Sequence, residues 1–172
     1  MQTDVKYARL TQSGWIVQGP GRVKGVGLRN ASTGVGRVYL FDTNATPSNA
    51  TYGQNNTTVT ITSTAHGLTN GATVSIGYGL DTANTAATCG TYTVTSLANA
   101  NAFTVTDFNS TNVIAGTACY YVSGDNRWMW VRGLANGDIY NNFELFPGEG
   151  IQAKQKVYIV VSNILSSSVF YG

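Results

Sequence analysis

The chain has one histidine, His66, inside "TSTAHGLTNGATVSIGYG" (residues 62–79). A general base needs a partner that orients it and a substrate group within reach, and no Asp or Glu stands near His66 in sequence. The surroundings read as two successive tight turns, His66-Gly67-Leu68 and then Asn70-Gly71. Histidine tolerates positive φ better than most residues, and its ring can hydrogen-bond a loop backbone. A corner-holding role is therefore preferred over a reactive one.

Carboxylates are the next candidates. Glycoside hydrolysis requires two of them, about 5–9 Å apart. Asp125, Asp138, Glu144 and Glu149 are scattered, and three of them sit beside turn residues, which reads as solvated turn acids. There is no G-x-S-x-G elbow. "GPGRVKGVG" (residues 19–27) mixes glycines with basic residues but lacks the following helix that a phosphate loop needs. Cys89 and Cys119 are too few for a disulfide framework; buried free thiols and a single bond both remain open. Their spacing does not suit a metal site, which a single histidine could not complete. The reading is a chain with no catalytic, cofactor-binding or metal-ligating residues, hence no enzyme, no cofactor and no small-molecule substrate.

Aromatic residues offer binding rather than catalysis. Trp15, Trp128, Trp130, Tyr120 and Tyr121 could stack on sugars or bases. Alternate aromatics along a strand more commonly serve a core or an interface, and that is the reading adopted.

The elements that must position these residues are strands. Helical periodicity is almost absent, and turn signals recur every eight to twelve residues, the pattern of an all-β protein. Candidate strands are Gly14–Gln18, Gly21–Asn30 and Gly36–Asp42, then the short alternating runs "TVTITST", "ATVSIGY", "TYTVTSL", "AFTVTDF" and "TACYYV", and finally "RWMWVRGL", "DIYNNFELF", "IQAKQKVYIVVSN" and "SSVFYG". "TNATPSNATYGQNN" (residues 43–56) reads as a polar linker. With 172 residues and 42% hydrophobic content the chain can bury a proper core, while charged residues make up only 10%. No run approaches the roughly 18 apolar residues of a membrane span, and the N-terminus lacks the apolar core of a secretory signal. A protein assembled in the cytoplasm, without membrane contact, is expected.

Charge divides the sequence. All ten Lys and Arg lie outside residues 53–123, where they face six acids for a net of +4; the middle holds only Asp81 and Asp107, a net of −2. This predicts a discontinuous, basic, jelly-roll-like β-sandwich from residues 1–52 and 124–172, with a neutral, Thr-rich antiparallel module, residues 53–123, inserted in one loop. The positive charge is too dispersed to make a nucleic-acid stripe and suits docking on an acidic protein surface.

The outer strands carry apolar residues on both faces. Trp128 and Trp130 oppose Met129 and Val131; Val157, Ile159 and Val161 oppose Tyr158 and Val160. A lone two-layer sandwich should leave one wet face, so the second face is expected to be covered, either by the chain's own insert or, by preference, by another subunit. The candidate interface residues are Trp15, Arg22, Lys24, Arg29, Arg127, Trp128, Trp130 and Arg132. Tyr39, Phe41, Phe143, Phe146, Val157, Ile159 and Phe170 are expected in core or interface, and residues 1–10 form an arm that laces onto an adjacent subunit.

The stretch from Thr58 to Asp107, "TVTITSTAHGLTNGATVSIGY…CGTYTVTSLANANAFTVTD", resembles a small β module that recurs in virion proteins of tailed bacteriophages. Its marks occur here in order: the His-Gly-Leu turn, Gly-x-x-Val-x-Ile, Gly-Thr-Tyr-x-Val and Ala-Asn-x-Phe-Thr-Val. The flanks, through "GRVKGVGLRNAS…GRVYLFD" and "LFPGEGIQAKQKVYIVVSN", resemble small phage β-sandwich proteins. The resemblance implies a structural virion protein on the capsid exterior. It would be a decoration or cement protein, a homotrimer whose partners are the major capsid protein and copies of itself. The alternative is a tail or tail-fibre component contacting the host surface. It also implies that the histidine belongs to a turn.

Overall fold

A computed structural model of the chain describes residues 5–31, 34–135 and 142–172. Every regular element among them is a strand, and all the registered pairings are antiparallel. The chain divides into two compact units, one of residues 1–44 with 129–172 and the other of residues 45–128.

The first unit contains two sheets. In one, β1 (Lys6–Leu10), β16 (Ile164–Tyr171), β3 (Gly21–Asn30) and β13 (Asn142–Leu145) lie side by side, with β14 (Ile151–Ala153) also paired to β3. The other runs β12 (Arg127–Leu134, in this unit from Met129 onward), β4 (Gly36–Thr43), β15 (Lys156–Ser162), β2 (Gly14–Val17). Val23, Val26, Leu28 and Val169 from the first sheet meet Val38, Leu40, Val157 and Ile159 from the second in one core. That is a β-sandwich, and the alternation of these residues with polar or small ones is what makes the sequence fold as strands with one inward face.

The second face of the four-stranded sheet departs from expectation. Tyr39 and Phe41 alternate with Val38 and Leu40, so they point away from that core, yet they are fully buried within the single chain, as is Val160. No other subunit is required to cover them. The arm expected to lace onto a neighbour also differs: Lys6–Leu10 pairs residue by residue with Tyr171–Ser167 of its own chain. Leu10 and Ala8 turn inward against the core, which gives the segment a hydrophobic reason to stay at home. Residues 1–4 of that arm lie outside the described residues.

The second unit is a seven-stranded sheet in the order β8 (Gly90–Thr93), β7 (Thr73–Tyr78), β11 (Val113–Ser123), β5 (Ser48–Asn55), β6 (Thr58–Thr62), β10 (Ala102–Thr106), β9 (Ser96–Asn99). Its two edge strands, β8 and β9, are sequence neighbours separated only by Val94 and Thr95. Covalent connection of opposite edges requires the sheet to curl until they meet. Val94 exchanges backbone bonds with the Gly71–Ala72 corner on one side, and Thr95 bonds Thr104 on the other. The run "TYTVTSL" is therefore two strands, bent at this seam. The curl encloses Tyr52, Tyr78, Phe103, Tyr121 and the alternating Val59, Ile61, Val74, Ile76 and Val105.

The polar run 43–56 is not a linker. Its second half is β5, a central strand whose Ala50, Tyr52 and Gln54 face inward while Ser48, Thr51 and Asn55 face water. The division between units accordingly falls before this strand, at residues 44 and 45, rather than at 52 and 53.

Candidate interaction surface

The outer face of the five-stranded sheet is built by register. Tyr7 on β1 pairs with Phe170 on β16, Phe170 with Gly25 on β3, and Gly25 with Leu145 on β13. The next row is Arg9, Ser168, Gly27, Phe143, and the third begins with Ser166 opposite Arg29. The β3–β16 register is uninterrupted from Ser166 to Phe170; it shifts only between Ile164 and Ser166 and again between Phe170 and Tyr171. Between the two shifts Ser166, Ser168 and Phe170 alternate to the outer face, while beyond them Ile164 and Tyr171 pack on the core.

Glycines supply the floor. A Cβ on Gly27 would lie 2.9 Å from Cζ of Phe143, and one on Gly25 would lie 2.9 Å from Cδ2 of Leu145. Both side chains thus lean across β3 where no side chain stands. The rings of Tyr7 and Phe143 each sit 5.6 Å from that of Phe170, forming a continuous aromatic ridge over three strands. The ridge is open to solvent: Tyr7 is 54% exposed, Phe143 57% and Leu145 73%. Contiguous apolar side chains rimmed by arginine are the composition of a protein interface.

The residues expected from sequence are distributed more widely. Arg29 is exposed on this face. Arg22 points to Glu149 at 3.7 Å, and Lys24 donates to the Glu149 carbonyl oxygen at 3.0 Å, so both are tied to the turn after β13. Arg132 forms an ion pair with Glu144. Trp15 packs edge-on against Tyr158 with ring centroids 4.9 Å apart, and Lys156 Nζ lies 5.5 Å from the Trp15 ring. Trp130 packs edge-on against Phe146 at 5.4 Å on the sandwich core. Arg127 and Trp128 belong to the second unit and are half-buried. These eight residues do not converge on one spot; Arg22, Lys24 and Arg29 are on β3, the first two flanking the core residue Val23 and engaged by Glu149, and Arg29 nearest the Phe143 row. Sequence reading missed Tyr7, Arg9 and Leu145, because β1 looked like a free arm and "NNFELF" has the same alternation whichever side is wet.

His66 Nδ1 accepts from the Leu68 amide at 3.0 Å, and Nε2 donates to the Asn99 carbonyl oxygen at 3.1 Å, with the ring edge-on to Phe103. Positive φ occurs at its neighbours Ala65 (49°) and Gly67 (63°), not at His66, so the ring rather than the backbone earns this position. Glu144 and Glu149 face arginines, Asp125 is exposed, and Asp138 lies outside the described residues. Asp107 is buried and accepts backbone amides of Thr88 (2.8 Å) and Asn109 (3.2 Å). Cys89 and Cys119 are free thiols; burial, with Cys89 beside it, pushes the Cys119 thiol far up. Among the described residues no group of His, Cys, Asp and Glu could hold a metal ion.

No family model and no curated protein matches the chain. Among solved structures it is similar to the "Phage phi92 endosialidase", with 19% identity and a TM-score of 0.32 over 83% of this chain. The chain corresponds to 20% of the length of that protein. At that score the likeness carries no inference about topology or activity.

Proposed function

We propose that this protein is a structural component of a tailed-phage virion, a decoration protein that binds the outside of the head and acts by contact rather than by catalysis. The observation that carries this reading is the ridge in which exposed Tyr7, Phe143 and Leu145 gather around half-buried Phe170 on the outer sheet face. Standard interfaces remove about 1,200–2,000 Å² from water. At roughly 25 cal/mol per Å² of apolar area, the gross gain exceeds the usual cost of association, and repetition over a shell adds multivalency. The sequence likeness of residues 58–107 to a virion module points to the same setting. Electron cryo-microscopy of the parent particle tests it: hundreds of copies on the head with the ridge against the shell are expected, and a handful of copies confined to the tail would overturn the reading.

One feature of the second unit favours the tail or fibre alternative. Residues 114–116 of β11 have no partners on β5, where Val113 pairs with Gln54 and Thr117 with Tyr52. They arch over Gly53, whose Cβ would lie 2.9 Å from Ala115 Cα. Between this arch and Thr58, Thr60 and Thr62 lies a groove of about 720 Å³ lined by hydroxyls and amides without formal charge. Such a lining suits a neutral polyhydroxyl chain on a host surface, and oligosaccharide binding that Thr60→Val weakens would move the assignment to the tail.

A further inference from the structure

On the ridge face, a cavity of about 280 Å³ is lined by Tyr7, Arg9, Arg29, Phe143, Ser166 and Ser168, among others. Two arginines from different strands border one small space, and no acidic residue lines it. Neither Arg9 nor Arg29 has an ion pair among the described residues. Two like charges brought together without a counter-ion repel each other, and the sheet fixes their spacing by register: Arg9 pairs with Ser168, and Ser166 pairs with Arg29. A small space with two arginines and two serines and no acid in its lining suits an acidic side chain.

We infer that this cavity is a socket for an aspartate or glutamate side chain of the protein on which the chain docks. The inference rests on the docking reading above and names the chemistry that gives it specificity. Arginine forks match carboxylates bidentately, and the Ser166 and Ser168 hydroxyls add donors. The surroundings choose among anions. Phosphate on nucleic acid is bound by stripes of cations that track a backbone, whereas here the arginines are flanked by Tyr7, Phe143 and Phe170, which need apolar neighbours. A protein surface presenting a carboxylate beside aliphatic side chains satisfies both halves. Charge pairing of this kind sets register and encounter rate while the ridge supplies burial.

The test uses the full chain and a fluorescent peptide of alternating leucine and glutamate, with a DNA duplex of equal charge and a second sample of the chain itself as competitors. The peptide is expected to bind and to weaken with salt. Arg9→Gln and Arg29→Gln should each reduce affinity roughly tenfold or more, with unchanged thermal unfolding because both side chains lie at the surface. Unaltered peptide binding by the double variant would overturn the socket, as would preference for DNA. Self-association that vanishes in the double variant would make the occupant a second copy and overturn the assignment to a different partner. Peptide binding by a chain that nevertheless ignores phage heads would leave the socket standing and remove the decoration reading instead; the reverse result would remove the socket alone.

Discussion

Phe143 lies across Gly27: the position a Cβ would take on Gly27 is 2.9 Å from the edge of the Phe143 ring. The neighbouring Gly25 is bounded differently, since its Cβ would come within 2.8 Å of the Glu144 carbonyl oxygen, part of the backbone of β13. An exposed ring can swing away, but a paired strand cannot. Gly27→Ala should therefore change stability by less than about 1 kcal/mol, with the lost chain entropy of the unfolded state partly offsetting the shift. Gly25→Ala should cost about 1–3 kcal/mol, as overpacking does. Denaturant unfolding of the two variants side by side checks this; equal losses would show that the ring at Gly27 is as immovable as the strand. The Gly27 variant should also lose the Phe143–Phe170 ring-current shift.

His66 holds a corner through both ring nitrogens. Because Nδ1 accepts from Leu68, the hydrogen must sit on Nε2, which then donates to Asn99. The corner is further tied by Ala65 to the Asn101 side chain at 2.8 Å and by the His66 amide to Ala100 at 3.2 Å. His66→Ala should lower the stability of the second unit by about 1–3 kcal/mol, the range for leaving such partners unmet. It should leave peptide binding at the Arg9–Arg29 cavity unchanged. Thermal melting and the peptide titration together check the claim, and a binding loss without a melting change would contradict it.

Strands with strong alternation were legible in the sequence: β3 has the residue limits read from "GRVKGVGLRN", and β6, β7 and β10 follow their Val and Ile. The misses have physical causes. β5 hides because Gln54 occupies an inward position, its amide donating to the carbonyl oxygens of Asn56 and Asn109 at 2.8 Å each. Period-two patterning tells which residues share a face but not which face is wet, so Phe143 could be placed only in core or interface and Leu145 was missed. Arg9 joins Arg29 only through β16, a strand more than 130 residues further along the chain, and no local signal carries such a pairing. The dispersed partners of Trp15, Arg22 and Arg132 were invisible for the same reason.

Asp42 illustrates a buried acid with a purely structural duty. Fully buried, it accepts the Lys154 amide on Oδ2 at 2.9 Å and the Gln155 amide on Oδ1 at 2.7 Å, closing the turn between β14 and β15. Asn in its place can accept with one oxygen only and would set its NH₂ against a backbone N–H. Asp42→Asn should cost about 1–3 kcal/mol, and Asp42→Ala at least as much, since both amides are then unmet. Calorimetry on the variants measures it. An Asn variant as stable as the parent would show that a single acceptor suffices.

Asp81 should make the second unit sensitive to acid. Its carboxylate accepts the Thr85 amide at 2.9 Å, with Ile114 at 3.3 Å and Ala83 at 2.8 Å as further donors. The Thr85 bond foremost holds the carboxyl below its usual range; desolvation, next in size, opposes it, and the bonds from Ile114 and Ala83 add to the lowering. A group whose pKa is depressed in the folded state adds stability above its unfolded value, and that stability is lost as pH falls through the folded one. The parent should therefore out-melt Asp81→Asn at neutral pH, and the difference should shrink as the solution is acidified below the ordinary carboxylate range. Because the Ile114 amide belongs to the arch beside the threonine groove, its resonance should shift over the same interval. A melting difference that stays constant across that interval would mean the three amides bind the acid and its amide analogue equally, and the charge would have no part in holding the loop.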